Sequence, residues 1–250
     1  MNMVKTGTFN LQDVFDLGEN FSFDESFHPS YCGCYTVLEN EFDCGFDPKL
    51  NLWSNRKGVY LSGYFQSWRY FIQEENEIRR MFIFKEEIRT RVALQLRNLL
   101  RGTNWNYDTH QLVGVHIRRG DFTAPPEAAF GYITAPIDYV TRAMRRMRSF
   151  YSRVIFLVCS DEILWAKKRL DKEPDVLFSE DNTAAEDLAL LSLTNHTIIT
   201  VGTFGWWAAF FTNGTKIYYK HAFVKNSKLA AQYPNESTED FFPPAWIGME

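Results

Sequence analysis

The chain has 250 residues, enough for one large or two small domains with hydrophobic cores. Its net charge of −4 argues against the basic surface that nucleic-acid binding normally needs, so no nucleic-acid partner is expected. No apolar run approaches the ~20 residues that a membrane span needs, and the chain is therefore expected to be soluble, without a membrane span.

Up to about residue 60 the sequence is rich in Phe, Asp, Asn and Gly and shows little periodicity, which is typical of irregular structure with short strands. Residues 59–61 are the best strand candidate there. Between Glu74 and Leu100 apolar residues recur at three- and four-residue steps, which predicts a helix that Gly102 ends.

After a polar linker at residues 106–108, strands alternate with helices, which predicts a parallel, doubly wound sheet covered on both faces. We place a domain boundary near residue 110, which divides the chain into residues 1–109 and 110–250. The predicted strands are 112–117, 153–159, 175–178, 197–201 and 215–219, and the predicted helices are 137–150, 161–170, 184–194 and 204–212.

Cysteines do not indicate a metal site. Cys32, Cys34 and Cys44 are too few for a closed zinc site but allow one disulfide with one spare thiol, and their pairing stays open. Cys159 ends an apolar strand and is expected to be a buried thiol. No Asp-X-Asp triplet or cluster at ligand spacing occurs, so no metal is expected.

Residues 116–121, His-Ile-Arg-Arg-Gly-Asp, stand where an apolar strand ends. Ligands of open α/β sheets bind at the carboxyl ends of strands, and guanidinium groups chelate phosphate oxygens. Side-chain alternation places Arg118 on the face of His116 and Arg119 on the other, so one arginine is expected to meet phosphate and the other to be structural. A solvated surface pair is the alternative.

Residues 202–205, Gly-Thr-Phe-Gly, separate a predicted strand from a predicted helix. A helix amino terminus offers free N–H groups to an anion, so this turn is predicted to cradle a phosphate. Residues 206–211, Trp-Trp-Ala-Ala-Phe-Phe, are more typical of core than of a ligand platform.

Residues 187–192 and 195–209, together with the arginine motif, resemble the donor-site blocks of the α-1,2-fucosyltransferases, glycosyltransferase family 11. Segments 63–68, 160–165 and 242–248 extend the resemblance over roughly residues 60–248. It implies GDP-fucose as donor, a galactose-terminated glycan as acceptor, no metal or other cofactor, and inversion at the fucose anomeric carbon. It also implies a GT-B-like pair of α/β domains, the second Rossmann-like.

The resemblance supplies candidate residues. His116 and Asp187 are expected beside the guanine, although a core histidine and a carboxylate of a first helical turn are the alternatives. Arg118 is expected to stabilise the departing diphosphate, with Asp121 or Glu127, the latter in a loop at residues 125–130, as the base. The expected donor-binding residues are His116, Arg118, Arg119, Asp161, Asp187, Asn195, Thr203, Phe204 and Gly205.

The family's glycine-rich turn and the membrane anchor of its animal members do not occur in this sequence, so the amino-terminal, acceptor-side domain is expected to be incomplete. The alternative functions are a non-catalytic nucleotide- or glycan-binding relative and a protein O-fucosyltransferase. The expected compartment is the Golgi lumen or membrane for a eukaryotic protein and the cytoplasm for a bacterial one.

Overall fold

A computed structural model of the chain describes residues 11–17, 36–52, 59–106 and 108–250. The helices are α1 (Leu11–Val14), α2 (Glu75–Met81), α3 (Glu86–Leu100), α4 (Pro125–Phe130), α5 (Ile137–Phe150), α6 (Ile163–Leu170), α7 (Ala184–Ser192) and α8 (Thr203–Phe211). The strands are β1 (Thr36–Glu39), β2 (Val59–Ser62), β3 (Gln111–Ile117), β4 (Val154–Ser160), β5 (Val176–Phe178), β6 (His196–Ile199), β7 (Lys216–Tyr219) and β8 (Ile247–Met249).

Six of the strands form one parallel sheet in the order β5-β4-β3-β6-β7-β8. The chain starts at the centre with β3, moves outward to β5, and crosses back to β6 before moving outward again. This is the doubly wound order, and its switch point lies between β3 and β6. The predicted α/β fold with a doubly wound parallel sheet is confirmed.

Successive side chains of β3 point to opposite sides of the sheet, and both sets are buried from Leu112 onward. Helices therefore cover both faces. Val113, Val115 and Ile117 pack with α5 and α6 in one buried cluster. Leu112 belongs to the cluster formed with α3, α7 and α8. Because α3 precedes residue 110 and yet packs on this sheet, the helix shares a core with the strands that follow it. The boundary near residue 110 stays a prediction.

The amino-terminal part contains a two-stranded parallel sheet in which Thr36 of β1 is paired with Val59 of β2. The prediction of a single helix between Glu74 and Leu100 is wrong, because residues 82–85 are not helical and separate α2 from α3. Phe84 there forms a bridge with Phe15, which belongs to a distant part of the chain. This tertiary pairing overrides the helical periodicity.

Two further elements differ from the prediction. Residues 125–130 form helix α4 and not a loop, because proline is well tolerated in a first helical turn, and Gly131 with φ of 120° ends the helix. Strand β8 joins the sheet edge through pairing of Ile217 with Ile247.

Cys44 and Cys159 are buried free thiols, as was predicted for Cys159. Burial raises the pKa of the Cys44 thiol to about 12. Cys32 and Cys34 lie outside the described residues.

Candidate functional site

A cavity of about 720 Å³ opens at the carboxyl edge of β3 and β6, at the switch point of the sheet. Ligands of open α/β sheets bind at this place. Arg118 and residues 200–204 line it on the sheet side. Residues of helix α4 and of the segment 222–242 also line it, together with Cys44, Tyr64 and Gln66.

Arg118 is the arginine that faces this cavity. Its Nη2 lies 2.6 Å from Asp121 Oδ1 and its Nη1 lies 2.9 Å from Asp161 Oδ2. Its backbone N–H donates to Thr200 Oγ1 at 2.9 Å, which ties β3 to β6 just above the sheet. The guanidinium is thus fixed at the cavity edge between two carboxylates.

Arg119 lies away from the cavity. Its Nε donates to Glu162 Oε2 at 3.1 Å, and its guanidinium carbon lies 3.9 Å from the centre of the Trp165 ring. The structure therefore does not bring Arg119 to the predicted donor site, because the side chain leaves the strand on the opposite face.

Asp161 positions both arginines. Besides its ion pair with Arg118, its Oδ1 accepts from the backbone N–H of Arg119 at 3.0 Å. Burial raises the pKa of Asp161, although the neighbouring Arg118 acts in the opposite direction. A Cβ on Gly120 would lie only 2.3 Å from Asp161 Oδ2, so this contact requires glycine at position 120.

Helix α8 begins at the cavity with Thr203. Its N-cap, Gly202, has φ of 88°, and no side chain caps the helix. The N–H groups of a first turn have no acceptor within the helix, so those of Thr203, Phe204 and Gly205 are available to an anion. The helix lies next to Arg118 because β3 and β6 are neighbours.

His116 lies beneath the first turn of α8, with its ring centre 4.9 Å from that of Phe204. It is buried, and its Nδ1 has no hydrogen-bond partner in the described part of the chain. Burial, reinforced by the Arg118 charge, lowers the pKa of His116 to about 3, so the ring is neutral. A neutral ring with a spare nitrogen can accept or donate one further hydrogen bond.

Asp187 and Asn195 are not among the residues that line the cavity. Asp187 Oδ1 accepts from Ser179 Oγ at 2.7 Å and from Asn182 Nδ2 at 3.0 Å, and burial raises its pKa. Asn195 precedes β6, so it lies at the opposite edge of the sheet, where its Oδ1 accepts from the Leu112 N–H. The structure does not bring Asn195 to the cavity, because a residue before a strand stands at the amino edge.

The two carboxylates considered as bases have different surroundings. Asp121 is engaged by Arg118. Glu127 lies on α4 and lines the cavity, and its carboxylate makes no hydrogen bond or ion pair among the described residues. Glu127 is thus the carboxylate that is free to meet a ligand.

The sequence profile of Glycosyl transferase family 11 matches residues 50–250. The chain belongs to this family. It is 32% identical over 193 residues to "Galactoside alpha-(1,2)-fucosyltransferase 1" of Alouatta belzebul, and these residues are 76% of this chain and 52% of the relative. "Galactoside 2-alpha-L-fucosyltransferase Sec1" of Mus musculus is 32% identical over 196 residues, 76% of this chain and 51% of the relative.

The family 11 chain spans about half the length of the curated relatives it matches. Solved structures resemble it in part. Fucosyltransferase NodZ from Bradyrhizobium has a TM-score of 0.45 and 20% identity over 64% of this chain and 53% of that chain. POFUT1 in complex with GDP-fucose has a TM-score of 0.44 and 11% identity over 64% of this chain and 54% of that chain.

In the part of this family 11 protein that the structure describes, no group of three or more His, Cys, Asp or Glu residues could hold a metal ion. No helix there is long and apolar enough to cross a membrane.

The sequence did not predict one wall of the cavity. The wall joins residues 64–68 to residues 239–242, and Ser67 Oγ donates to the Asp240 carbonyl at 2.7 Å. Residues 63–68 carried the family resemblance, but of the second segment only residue 242 did. Their contact was not predictable, because nothing local to either segment indicates the other.

Proposed function

We propose that the protein is an inverting glycosyltransferase that moves L-fucose from GDP-fucose to the 2-hydroxyl of a terminal galactose on a glycan. Family membership and the relatives named as galactoside α-1,2-fucosyltransferases support this reaction. The observation that carries the proposal is the pairing of Arg118 with the uncapped amino terminus of α8 at the switch point of the sheet.

Arg118 and α8 hold the diphosphate. As the bond between fucose and phosphate breaks, negative charge grows on the departing GDP, and fixed cationic and N–H donors stabilise that charge. Phosphate oxygens take the place of one carboxylate on the Arg118 guanidinium, while the other carboxylate keeps the side chain oriented. Arginine performs here the task that a divalent ion has in metal-dependent transferases.

Glu127 is the base. Inversion needs an acceptor hydroxyl that attacks from the side opposite the diphosphate and loses its proton there. Glu127 lies on α4 and lines the same cavity as Arg118, and its carboxylate is unpaired among the described residues. Asp121 is held by Arg118 and serves to orient it.

His116 and Asp187 are proposed on the guanine side, as the family resemblance implies, and His116 Nδ1 has no hydrogen-bond partner among the described residues. Asp187 is anchored by Ser179 at the carboxyl end of the neighbouring strands. The proposed compartment is the Golgi lumen for a eukaryotic protein and the cytoplasm for a bacterial one.

The test is transfer of labelled fucose from GDP-fucose to a terminal β-galactoside, with and without EDTA. We expect transfer that survives chelation. Glu127→Gln should lower kcat by about 10²-fold or more with little change in GDP affinity, since general bases contribute about 10²–10⁴. Asp121→Asn should keep more of the transfer activity than Glu127→Gln, because Asp121 is held by Arg118 and does not take the proton.

The outcomes separate the candidate functions. GDP binding without any transfer would mark a non-catalytic nucleotide-binding relative. Fucose appearing on a protein serine or threonine and not on the galactoside would indicate a protein O-fucosyltransferase. Full activity of Glu127→Gln would remove that residue from the mechanism.

A further inference from the structure

A second, smaller pocket of about 90 Å³ adjoins the main cavity at Thr203. Tyr64, Gln66, Thr203 and Phe241 line both spaces, so the two are continuous. The smaller pocket is therefore reached directly from the turn that we assign to the donor phosphate. Nothing in the reaction described above uses it.

Its lining is aromatic and uncharged. The lining residues are Tyr64, Phe65, Gln66, Ser67, Trp68, Phe71, Thr203, Trp206, Trp207 and Phe241. An uncharged pocket offers no charged partner to a phosphate or a carboxylate. The charged Arg118 lines the main cavity and is not among the residues that line the smaller pocket. The two spaces thus differ in the ligands they suit, an anionic group in one and a neutral, partly apolar group in the other.

Two of the tryptophans are held in place by hydrogen bonds from their indole nitrogens. Trp68 Nε1 donates to the Glu239 carbonyl at 2.9 Å, and Trp206 Nε1 donates to the Phe241 carbonyl at 2.8 Å. The indole N–H groups are satisfied within the protein, so what they leave for a ligand is ring surface. The polar side-chain groups shared with the main cavity are the hydroxyls of Tyr64 and Thr203 and the amide of Gln66. Gln66 Oε1 accepts from Cys44 Sγ at 3.5 Å, while its Nε2 has no partner among the described residues and is free to donate to a ligand.

The loop that carries Tyr64 has a strained backbone. Phe65 has φ of 49°, in the left-handed region that a bulky residue rarely adopts. Its neighbour Gln66 is held by a hydrogen bond from its N–H to the Asp43 carbonyl at 2.7 Å. Strain of this kind persists where surrounding contacts enforce it, and it clusters at ligand sites. Here it leaves Tyr64 with 67% of its surface exposed beside Thr203.

A pyranose matches this surface. Galactose carries C–H groups on one face and hydroxyls around its rim, so it can pack on aromatic carbon while its rim forms hydrogen bonds. We propose that this pocket is the acceptor subsite, in which Tyr64 packs against the C–H face of the terminal galactose and Gln66 hydrogen-bonds one of its hydroxyls. This assignment rests on the proposed function, because it gives the sugar in the small pocket access to the donor in the large one.

The test measures binding of methyl β-galactoside to the full chain saturated with GDP, followed by ligand-observed NMR. Tyr64→Ala should raise the galactoside Kd at least tenfold, whereas Tyr64→Phe, which keeps the ring, should change it less than threefold. Gln66→Leu, similar in size but without the amide, should raise it about tenfold. In transfer assays the same variants should raise KM for the galactoside and leave KM for GDP-fucose unchanged.

Phe150→Ala is the matched control, since it removes an aromatic ring that is 41% exposed at the end of α5, at the opposite edge of the sheet. It should leave the galactoside Kd unchanged. Wild-type affinity in Tyr64→Ala, or no galactoside binding by the GDP-saturated wild type, would overturn the subsite while the donor site stands. A wild-type chain that does not bind GDP would overturn the proposed function, and the subsite with it.

Discussion

Arg118 is neutralised by Asp121 and Asp161 before any ligand arrives. A diphosphate must therefore compete with carboxylates for the guanidinium, and binding exchanges one charged partner for another. This exchange lowers the net gain from the arginine, but it keeps the side chain preorganised, and a fixed donor loses less entropy on binding. Removal of Arg118 also leaves the two carboxylates facing the phosphates.

We expect Arg118→Ala to weaken GDP binding by about a hundredfold or more, corresponding to about 3 kcal/mol for a lost bidentate charge-assisted contact. Arg119→Ala is the control, because it removes the same charge from the neighbouring position, which pairs with Glu162 outside the cavity. Its GDP affinity should change by less than fivefold. Calorimetric titration of GDP into the three proteins checks this, and equal losses in both variants would contradict the assignment.

His116 makes stability depend on pH. Its pKa is about 3 in the folded chain and near its ordinary value of 6.5 in the unfolded chain. Between these values only the unfolded chain binds the proton, so folding stability falls as the pH drops below 6.5. At pH 5 the loss is about 2 kcal/mol.

Urea unfolding at pH 7 and pH 5 measures this loss. His116→Gln should lose about 2 kcal/mol less than the wild type on acidification. His196, whose pKa is also lowered by burial, acts in the same direction in both proteins and cancels in the comparison. An identical pH dependence in the two proteins would contradict this expectation, because it would show that the folded and the unfolded chain protonate His116 equally well.

The packing of α8 against the sheet depends on Gly205. A Cβ there would lie 2.7 Å from His116 Nδ1 and 3.3 Å from Ile199 Cβ. We expect Gly205→Ala to destabilise the fold by about 1–3 kcal/mol and to weaken GDP binding, because the first turn of α8 is pushed away from the cavity. Urea unfolding and GDP titration give both values. In a double-mutant cycle with His116→Ala the two costs should not add, since the nearest atom is then missing; additive costs would contradict the contact.

Apart from α4, the elements from β3 to β7 were predictable because each apolar run is short and bounded by polar or glycine residues. The break between α2 and α3 was not, since the pairing of Phe15 with Phe84 is tertiary. Strand β8 has three residues, too few to show alternation, and it exists through its pairing with β7.

The site was predictable where a residue follows a strand, because the carboxyl ends of parallel strands meet at one edge. That rule places Arg118, Asp161 and Thr203 together. The same rule excludes Asn195, because this residue precedes its strand. Resemblance to a family block does not separate residues before a strand from residues after it. Which carboxylate is paired and which is free depends on side-chain contacts, so the choice between Asp121 and Glu127 needed the structure.

For the whole molecule, the two sheets differ in how firmly their strands are held. Strand β3 is paired on both sides, by β4 and β6, whereas in the described residues β1 is paired with β2 alone. A two-stranded sheet is marginally stable by itself. Amides of β1 and β2 should therefore exchange with deuterium through smaller openings than those of β3, β4 and β6. Hydrogen exchange followed by mass spectrometry checks this, and uniform protection would contradict it.

The wall that connects Ser67 and Trp68 to residues 239 and 240 closes a loop of more than 170 residues. Arg118 and the first turn of α8, in contrast, belong to adjacent strands in the centre of the sheet. Because long loops are the most expensive in entropy to close, the wall is expected to loosen before the donor side does. Under the proposed function, a partly loosened molecule would still hold GDP-fucose but would expose the fucose to water. Selectivity for a sugar acceptor over hydrolysis thus depends, under the same proposal, on contacts between residues more than 170 positions apart in the sequence.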